Sequence, residues 1–578
     1  MSSGRNRYVY IFLTLMAAFC GLIWAITNLS YDGEYQISMA YRLLQGDKMF
    51  LEMWEPNQTS AFLPAALMWI YRKLFHTTTG IAVYLQVCGI LIRGALAFLL
   101  YRTLREDLDR PLAYGIGLLF FMVSPKDLAI PEYSNIQLWY CTLLFCSLWT
   151  FLKKQKLYLL LLSALWLCLE TLTYPSCAIV LFGVILLLAF YTTHKRRDIL
   201  LLTGICAFLG LSFLCYFLFT IGPDTFMKCI TGMLAIEPTH TISGSSKLQG
   251  YLSSLLKISL IFAFIGAAGF LVSLVPVRLL PIRLGKQQPA RQRRPARWLY
   301  CCITIMLVGF LMNILSADNR SAYSIILLAI LGAGFRNRNV LSGNQKKIYV
   351  CGSMIGGLSL LATLLLTDHP MITVSVPYGL LAVCAALIPI WEKLGQSPYA
   401  PLKKRFCHFF LCFLILLAFR CIFVRVPLSG KGQVCSTFSD LSIVRTGPAL
   451  GIISNEDGVC IQRDSYPEWK ESIPPGSKVW IVGSVVDTLG YLYEDVEVAG
   501  PSTMSTPSYN ETVLEYWRLN PGKYPDVIVA EGYLGEISYE LSGNQWLLSF
   551  IEEEFQPEYV VYGTYWNYYF RKEPDLTR

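Results

Sequence analysis

Thirteen long apolar runs divide the first 426 residues, and no other feature limits the fold so strongly. The first covers about 8–29; the others lie near 79–101, 108–124, 133–152, 157–172, 174–192, 199–221, 251–277, 298–316, 320–335, 348–366, 371–391 and 406–426. An apolar stretch of about 20 residues crosses a bilayer as a helix, because only there does each backbone N–H and C=O find a partner away from water. The expected fold is mainly α, a polytopic transmembrane helix bundle of about 13 spans. The first run is too long for a signal-peptide core and has no convincing cleavage site, so it reads as the first span. With 54% of residues hydrophobic and 15% charged, the chain is too apolar for a soluble protein.

A net charge of +9 would suggest nucleic acid or acidic partners in a soluble chain. Here the basic residues gather in short loops between spans, where they set orientation. With 59–75 kept out of the membrane as a re-entrant or juxtamembrane helix, the N-terminus and the loops between spans hold 26 Lys and Arg on one side and 8 on the other, the region 427–578 not counted. The N-terminus and the loop RLLPIRLGKQQPARQRRPAR are therefore expected to be cytoplasmic, and the loop 30–78 to be outside. That basic loop reads as a contact with anionic lipid headgroups and not with nucleic acid. The 18 cysteines are scattered, mostly in apolar runs as at Cys20, Cys88 and Cys141, without metal-ligand spacing. They read as small buried hydrophobes. No cofactor is expected, and a divalent cation is left open.

From 427 to 578 no run is long enough to span. Short β-type runs (ALGIIS, KVWIVG, DVIVAE, EYVVYG) alternate with helical or turn-rich stretches such as NETVLEYWRLNPGKYP. The expectation is a second domain, 427–578, a three-layer α/β unit with its own core that thirteen crossings place outside the cytoplasm. Cys435 and Cys460 fall in it, and the sequence leaves their pairing open. No internal repeat and no inverted pair of broken helices is visible, which weighs against a secondary transporter.

Acidic, amide and aromatic side chains concentrate in SYDGEYQISMAYRLLQGDKMFLEMWEPNQTS, residues 30–60. Tyr35, Met39 and Leu43 recur every four residues, so a helix at the membrane surface is expected, with Asp32 and Glu34 in its first turn. Capping and the helix dipole alone can account for those carboxylates. A carboxylate in that place can also serve as a general base, though spacing alone favours the capping role. Trp54, Glu55 and Gln58 are read either as pocket lining or as interfacial anchors. In the second outer loop Lys126, Glu132 and Tyr133 are candidates for holding phosphate and sugar, with loop solvation around Pro125 and Pro131 as the plain alternative. Arg93 sits within a span and must face the bundle interior, where a structural partner is the favoured role. His240 and Glu237 lie in the long loop 222–250, read as a flap over a cleft or a solvated loop. Arg320, beside Asp318 and Asn319, is a phosphate candidate or half of a local ion pair.

An N-terminal span, an outer loop with an Asp/Glu pair, an amphipathic helix ending in Gly46-Asp47 and a second juxtamembrane helix together resemble the GT-C class of integral-membrane glycosyltransferases. That class includes the protein mannosyltransferases and the bacterial enzymes that decorate lipid A or lipopolysaccharide core. Thirteen spans and an outer C-terminal domain are similar to its architecture. The resemblance implies an inverting hexosyl or pentosyl transferase that moves a sugar from a polyprenyl-phosphate donor to a lipid or glycan acceptor on the outer face of the cell membrane. It implies Asp32 as the base that activates the acceptor hydroxyl; the residues' own types and positions add Glu34, Trp54, Gln58, Lys126, Glu132, His240 and Arg320 as candidate substrate-binding residues. Many members have the two acids adjacent, whereas Gly33 separates Asp32 from Glu34 here. No Gly-rich nucleotide loop is present, as a lipid-phosphate donor requires none. The alternatives are a transporter or flippase of lipid-linked saccharide and a non-catalytic membrane scaffold.

Overall fold

The computed structural model describes residues 3–27, 29, 31–236, 244–274, 290–316, 322–366, 372–396, 400–421, 441–455, 465–483, 488–493, 496–504, 508–533, 536–555 and 560–571. Each of the thirteen apolar runs falls on a helix. The first is α1 (Ser3–Ile26). Two helices outside that set follow, α2 (Tyr31–Gln45) and α3 (Phe62–Phe75). Next come α4 (Ile81–Leu104), α5 (Arg110–Met122), α6 (Tyr133–Lys154), α7 (Leu157–Thr173), α8 (Ile179–Tyr191) and α9 (Lys195–Ile221). After the shorter α10 (Pro223–Ala235) the bundle continues with α11 (Gly244–Leu274), α12 (Ala290–Ser316), α13 (Ala322–Asn337) and α14 (Gly343–Leu366). It ends with α15 (Ile372–Ser375), α16 (Leu380–Gly395) and α17 (Ala400–Arg420). Among the described residues eight helical segments are long and apolar enough to cross a membrane, and α5, α7 and α8 are shorter. On α9 and α11 large apolar side chains such as Phe208, Phe219 and Phe264 stand exposed, as lipid-facing helices require.

The C-terminal region is a mixed α/β layer structure. A hairpin of β1 (Leu441–Ile443) and β2 (Ile453–Asn455) precedes helix α18 (465–472). The main sheet begins with β3 (Lys478–Val482) and β4 (Glu497–Val498), and helix α19 (Thr512–Leu519) leads to β5 (Val527–Tyr533). After β6 (Glu536–Ile537), α20 (Tyr539–Ser542) and α21 (Gln545–Glu554), the chain returns through β7 (Val561–Tyr562) to β8 (Trp566–Phe570). Strand order is β4-β3-β5-β8-β7, with β3 parallel to both its neighbours and β8 antiparallel to both of its own.

Alternation along KVWIV sends Val479 and Ile481 to one face of this sheet and Trp480 and Val482 to the other. The second face packs on Tyr516 and Trp517 of α19 and Leu547 and Phe550 of α21. The first belongs to a core that also takes in Trp469 of α18, Leu489 and Tyr491 of the turn 488–492, and Tyr35, Ile37 and Met39 of α2. One outer layer is thus partly supplied from residue 30 onward, and the core of the C-terminal domain is continuous with that of the loop 30–78.

Hydrogen bonds tie the same two regions together. Ser38 Oγ donates to the Thr488 carbonyl at 2.7 Å, Gln45 Nε2 to that of Val496 at 2.6 Å and Thr78 Oγ1 to that of Leu492 at 2.8 Å. Loop 30–78 and the C-terminal domain therefore occupy one end of the bundle, while Lys156, three helices further on, lies at the other. A membrane-impermeant thiol reagent should label Lys48→Cys and Glu553→Cys from the same side of sealed vesicles, and Lys156→Cys only after permeabilisation, each measured against the parent chain. Labelling of the first two from opposite sides would break the arrangement.

Candidate active site at the start of helix α2

Asp32 and Glu34 occupy the first turn of α2, where the helix dipole favours negative charge. Glu34 is turned into protein at 2% exposure, whereas the Asp32 side chain keeps 31% of its surface. Facing Asp32 is the connection between α5 and α6. There Lys126 and Asp127 both adopt left-handed backbone, φ 52° and 58°. For residues with a Cβ this is unfavourable by roughly 1–2 kcal/mol each, so the turn must be held from outside. Arg420 of α17 holds it by donating to both carboxylate oxygens of Asp127, at 2.9 and 2.5 Å. Three groups converge on the next carbonyl, that of Leu128: Ser124 Oγ at 2.6 Å, Asn135 Nδ2 at 3.0 Å and Arg93 Nη2 at 3.3 Å. Arg93 also lies over the Trp24 ring at 4.5 Å, the structural role favoured for it.

The turn so fixed aims Lys126 at Asp32, Nζ standing 3.0 Å from Oδ1. The Tyr133 hydroxyl donates to the same oxygen at 3.1 Å, and Lys126 donates to that hydroxyl. Gln36, on the next turn of α2, accepts from the Tyr133 N–H at 3.2 Å and from Ser60 Oγ at 3.1 Å, which ties α2 to α6. The Tyr133 ring stacks against Tyr174, centroids 6.4 Å apart. Burial opposes the charge on Lys126, but the adjoining Asp32 carboxylate outweighs it and keeps the ammonium well above its ordinary range. Glu132 caps α6, accepting from the N–H of Asn135 at 2.9 Å and of Ser134 at 3.0 Å. Burial pushes its carboxyl up, while Lys126 pulls the other way.

Asp32, Lys126, Glu132 and Tyr133 are thus brought together. Trp54 and Gln58 make their contacts elsewhere. Trp54 is buried edge-on against Tyr516, 5.2 Å between centroids, and a Cβ on Gly232 of α10 would sit 2.3 Å from its ring. It is a core residue that the loop, α10 and α19 close around, not a belt anchor. Gln58 is buried as well, accepting from the Phe50 N–H at 2.7 Å and donating to the Glu55 carbonyl at 3.1 Å. The part of the 222–250 loop expected as a flap is in α10 a packed helix, with Cys229 and Gly232 buried. Glu237, His240, Asp318, Asn319, Arg320, Cys435 and Cys460 lie outside the described residues. Three participants escaped the sequence reading: Gln36, Asp127 and Arg420. For Arg420 the signal existed, since an arginine within an apolar run demands a buried partner just as Arg93 does.

Chemically, the cluster offers a part-exposed carboxylate flanked by one cation and one phenol, on a backbone locked from behind by Arg420. The carboxylate can take a proton, and the ammonium and hydroxyl can donate to an anion.

Fold and site together define a multi-pass membrane protein with a carboxylate–lysine–tyrosine cluster where the bundle meets a mixed α/β domain. The structure is similar to the archaeal oligosaccharyltransferase AglB from Archaeoglobus fulgidus, solved with an inhibitory peptide and a dolichol-phosphate: 10% identity, TM-score 0.43, over 99% of this chain and 75% of that one. It is also similar to ArnT from Cupriavidus metallidurans bound to undecaprenyl phosphate, with 11% identity, TM-score 0.43 and 98% of both chains covered. No protein-family model matches the sequence. No curated protein matches it either.

Proposed function

We propose that this chain is a membrane glycosyltransferase that passes a sugar from a polyprenyl-phosphate donor to a lipid or glycan acceptor at the membrane surface, outside the cytoplasm, with Asp32 as general base. The observation that carries the reading is the Asp32–Lys126–Tyr133 cluster. Sugar transfer with inversion requires a carboxylate to take the acceptor's proton as the bond to C1 forms, and donors to receive the charge of the departing phosphate. Lys126 suits both ends of that step. In the resting site it neutralises Asp32; beside a donor phosphate its flexible stem lets it shift toward the anion, which frees the carboxylate to bind the acceptor hydroxyl. The Tyr133 hydroxyl supplies a second donor, and its ring, with Tyr174, a flat apolar wall. Glu132 serves by fixing the start of α6, and so the place of Tyr133.

Transfer of labelled sugar from a polyprenyl-phosphate donor by the purified chain in lipid nanodiscs tests the reading. Absence of transfer across hexosyl and pentosyl donors, with retained uptake of lipid-linked saccharide into vesicles, would turn it toward transport. Lys126→Gln removes one charged donor aimed at the phosphate and should lower turnover by about 10²–10³-fold. Near-normal turnover in this variant would detach Lys126 from the donor.

A further inference from the structure

We propose that the groove between α1, α4 and α5, at the end of the bundle away from Asp32, is a binding site for an anionic glycerophospholipid. Its cavity has a volume of about 630 Å³ and is walled by small residues, Ala17, Ala18, Gly94, Ala97 and Gly117, and by the rings of Phe98 and Phe121. The mouth is polar. Thr14 and Tyr114 share a hydrogen bond of 2.7 Å, the Tyr114 hydroxyl reaches the Tyr10 carbonyl at 2.8 Å, and Arg110 lines the rim. Tyr10 lies sixteen residues before the end of α1, so this mouth is about 24 Å along the helix from the end where α2 begins. The two lie at opposite faces of the bundle.

Two observations fix the class of occupant. First, Ala18 and Phe98 are exposed on helices that cross the bilayer, so the groove opens sideways to lipid and takes a hydrocarbon chain. Second, the positive charge at its mouth is not spent within the protein. Asp109, next to Arg110, is engaged by Trp391 Nε1 at 2.7 Å and Lys403 Nζ at 3.2 Å. Glu106 and Asp107 are bridged by Lys153, each at 2.9 Å. Arg110 makes no ion pair among the described residues and is exposed. An apolar slot with an uncommitted guanidinium at its mouth matches an acyl chain with a phosphate diester headgroup that carries net negative charge.

Native mass spectrometry of the purified full chain, loaded with dioleoyl phosphatidylglycerol or dioleoyl phosphatidylcholine, tests this. Phosphatidylglycerol should survive activation in the gas phase more often than phosphatidylcholine. Arg110→Gln should reduce its retention by about fivefold, the effect of one basic residue on an anionic headgroup. Ala18→Phe, at an exposed position, should fill the slot and abolish retention without lowering the melting temperature. Equal retention of the two lipids, or an unchanged Arg110→Gln protein, would overturn the proposal. Preferential retention of a polyprenyl phosphate over phosphatidylglycerol would overturn the choice of a glycerophospholipid.

Discussion

Asp32→Asn is expected to lower sugar transfer by about 10²–10⁴-fold, the usual effect of removing a positioned general base, with the melting temperature almost unmoved. Asparagine matches aspartate in size and caps helices about as well. What it loses in stability is the pair with Lys126, and with both side chains partly exposed that pair is worth only about 0–1 kcal/mol. Activity and folding should therefore separate. Glu34→Gln should have the smaller effect on transfer, because Glu34 is turned into protein and away from the exposed side of the turn. The measurement is turnover of a labelled polyprenyl-phosphate sugar by wild type and both variants, alongside their thermal melts. Near-normal turnover by Asp32→Asn would reduce that carboxylate to the start of a helix, and the glycosyltransferase reading would lose its main support.

Sequence reading reached the bundle because the requirement that makes a transmembrane helix, a long apolar run, is written along the chain itself. Asp32 and the Lys126–Tyr133 segment were also legible, as polar groups beside span ends that no tail or linker explains. What escaped depends on partners far away in the chain. Trp54 in a polar loop reads as an interfacial anchor, and nothing near it announces Gly232 or Tyr516. The strands of the C-terminal sheet show by their two apolar faces that both are covered, but not that α2 joins the core on one of them. Strand β8, WNYYF, has β-forming aromatics on both sides of a buried Asn567, and that polar residue masks the alternation. Gly46-Asp47, noted as the end of an amphipathic helix, has a local explanation. Gly46 takes φ 97°, the Asp47 N–H bonds back to the Arg42 carbonyl at 3.2 Å, and the helix is closed as in a Schellman motif.

That turn sets up the largest stability effect. Arg42→Met is expected to destabilise the protein by about 3–5 kcal/mol, the range for removing one partner of a buried charge pair. The Arg42 side chain is fully buried between α2 and the C-terminal domain. Its Nε donates to Asp47 at 2.6 Å, Nη1 reaches Glu55 at 3.4 Å and the Pro501 carbonyl at 3.2 Å, and Nη2 reaches the Tyr516 hydroxyl at 3.1 Å. Asp47 keeps a second cation when Arg42 is lost, Lys523 at 2.6 Å. Glu55 does not; among the described residues the Thr503 N–H and hydroxyl are what remain to it, at 2.6 and 3.0 Å. Burial already pushes the Glu55 carboxyl up and Arg42 is what draws it back down, so in the variant this carboxyl binds its proton more tightly when folded than when unfolded. Stability from that proton is fully present below the ordinary carboxylate range and is lost as pH rises through the raised folded value. The deficit of Arg42→Met relative to wild type should therefore widen from acid toward neutral pH. Adding Glu55→Gln should recover part of it and flatten the pH dependence, since a neutral amide has no charge to strand. Thermal melts of the single and double variants across that range decide the matter. A deficit independent of pH and unrelieved by Glu55→Gln would mean that Arg42 holds the junction by packing alone.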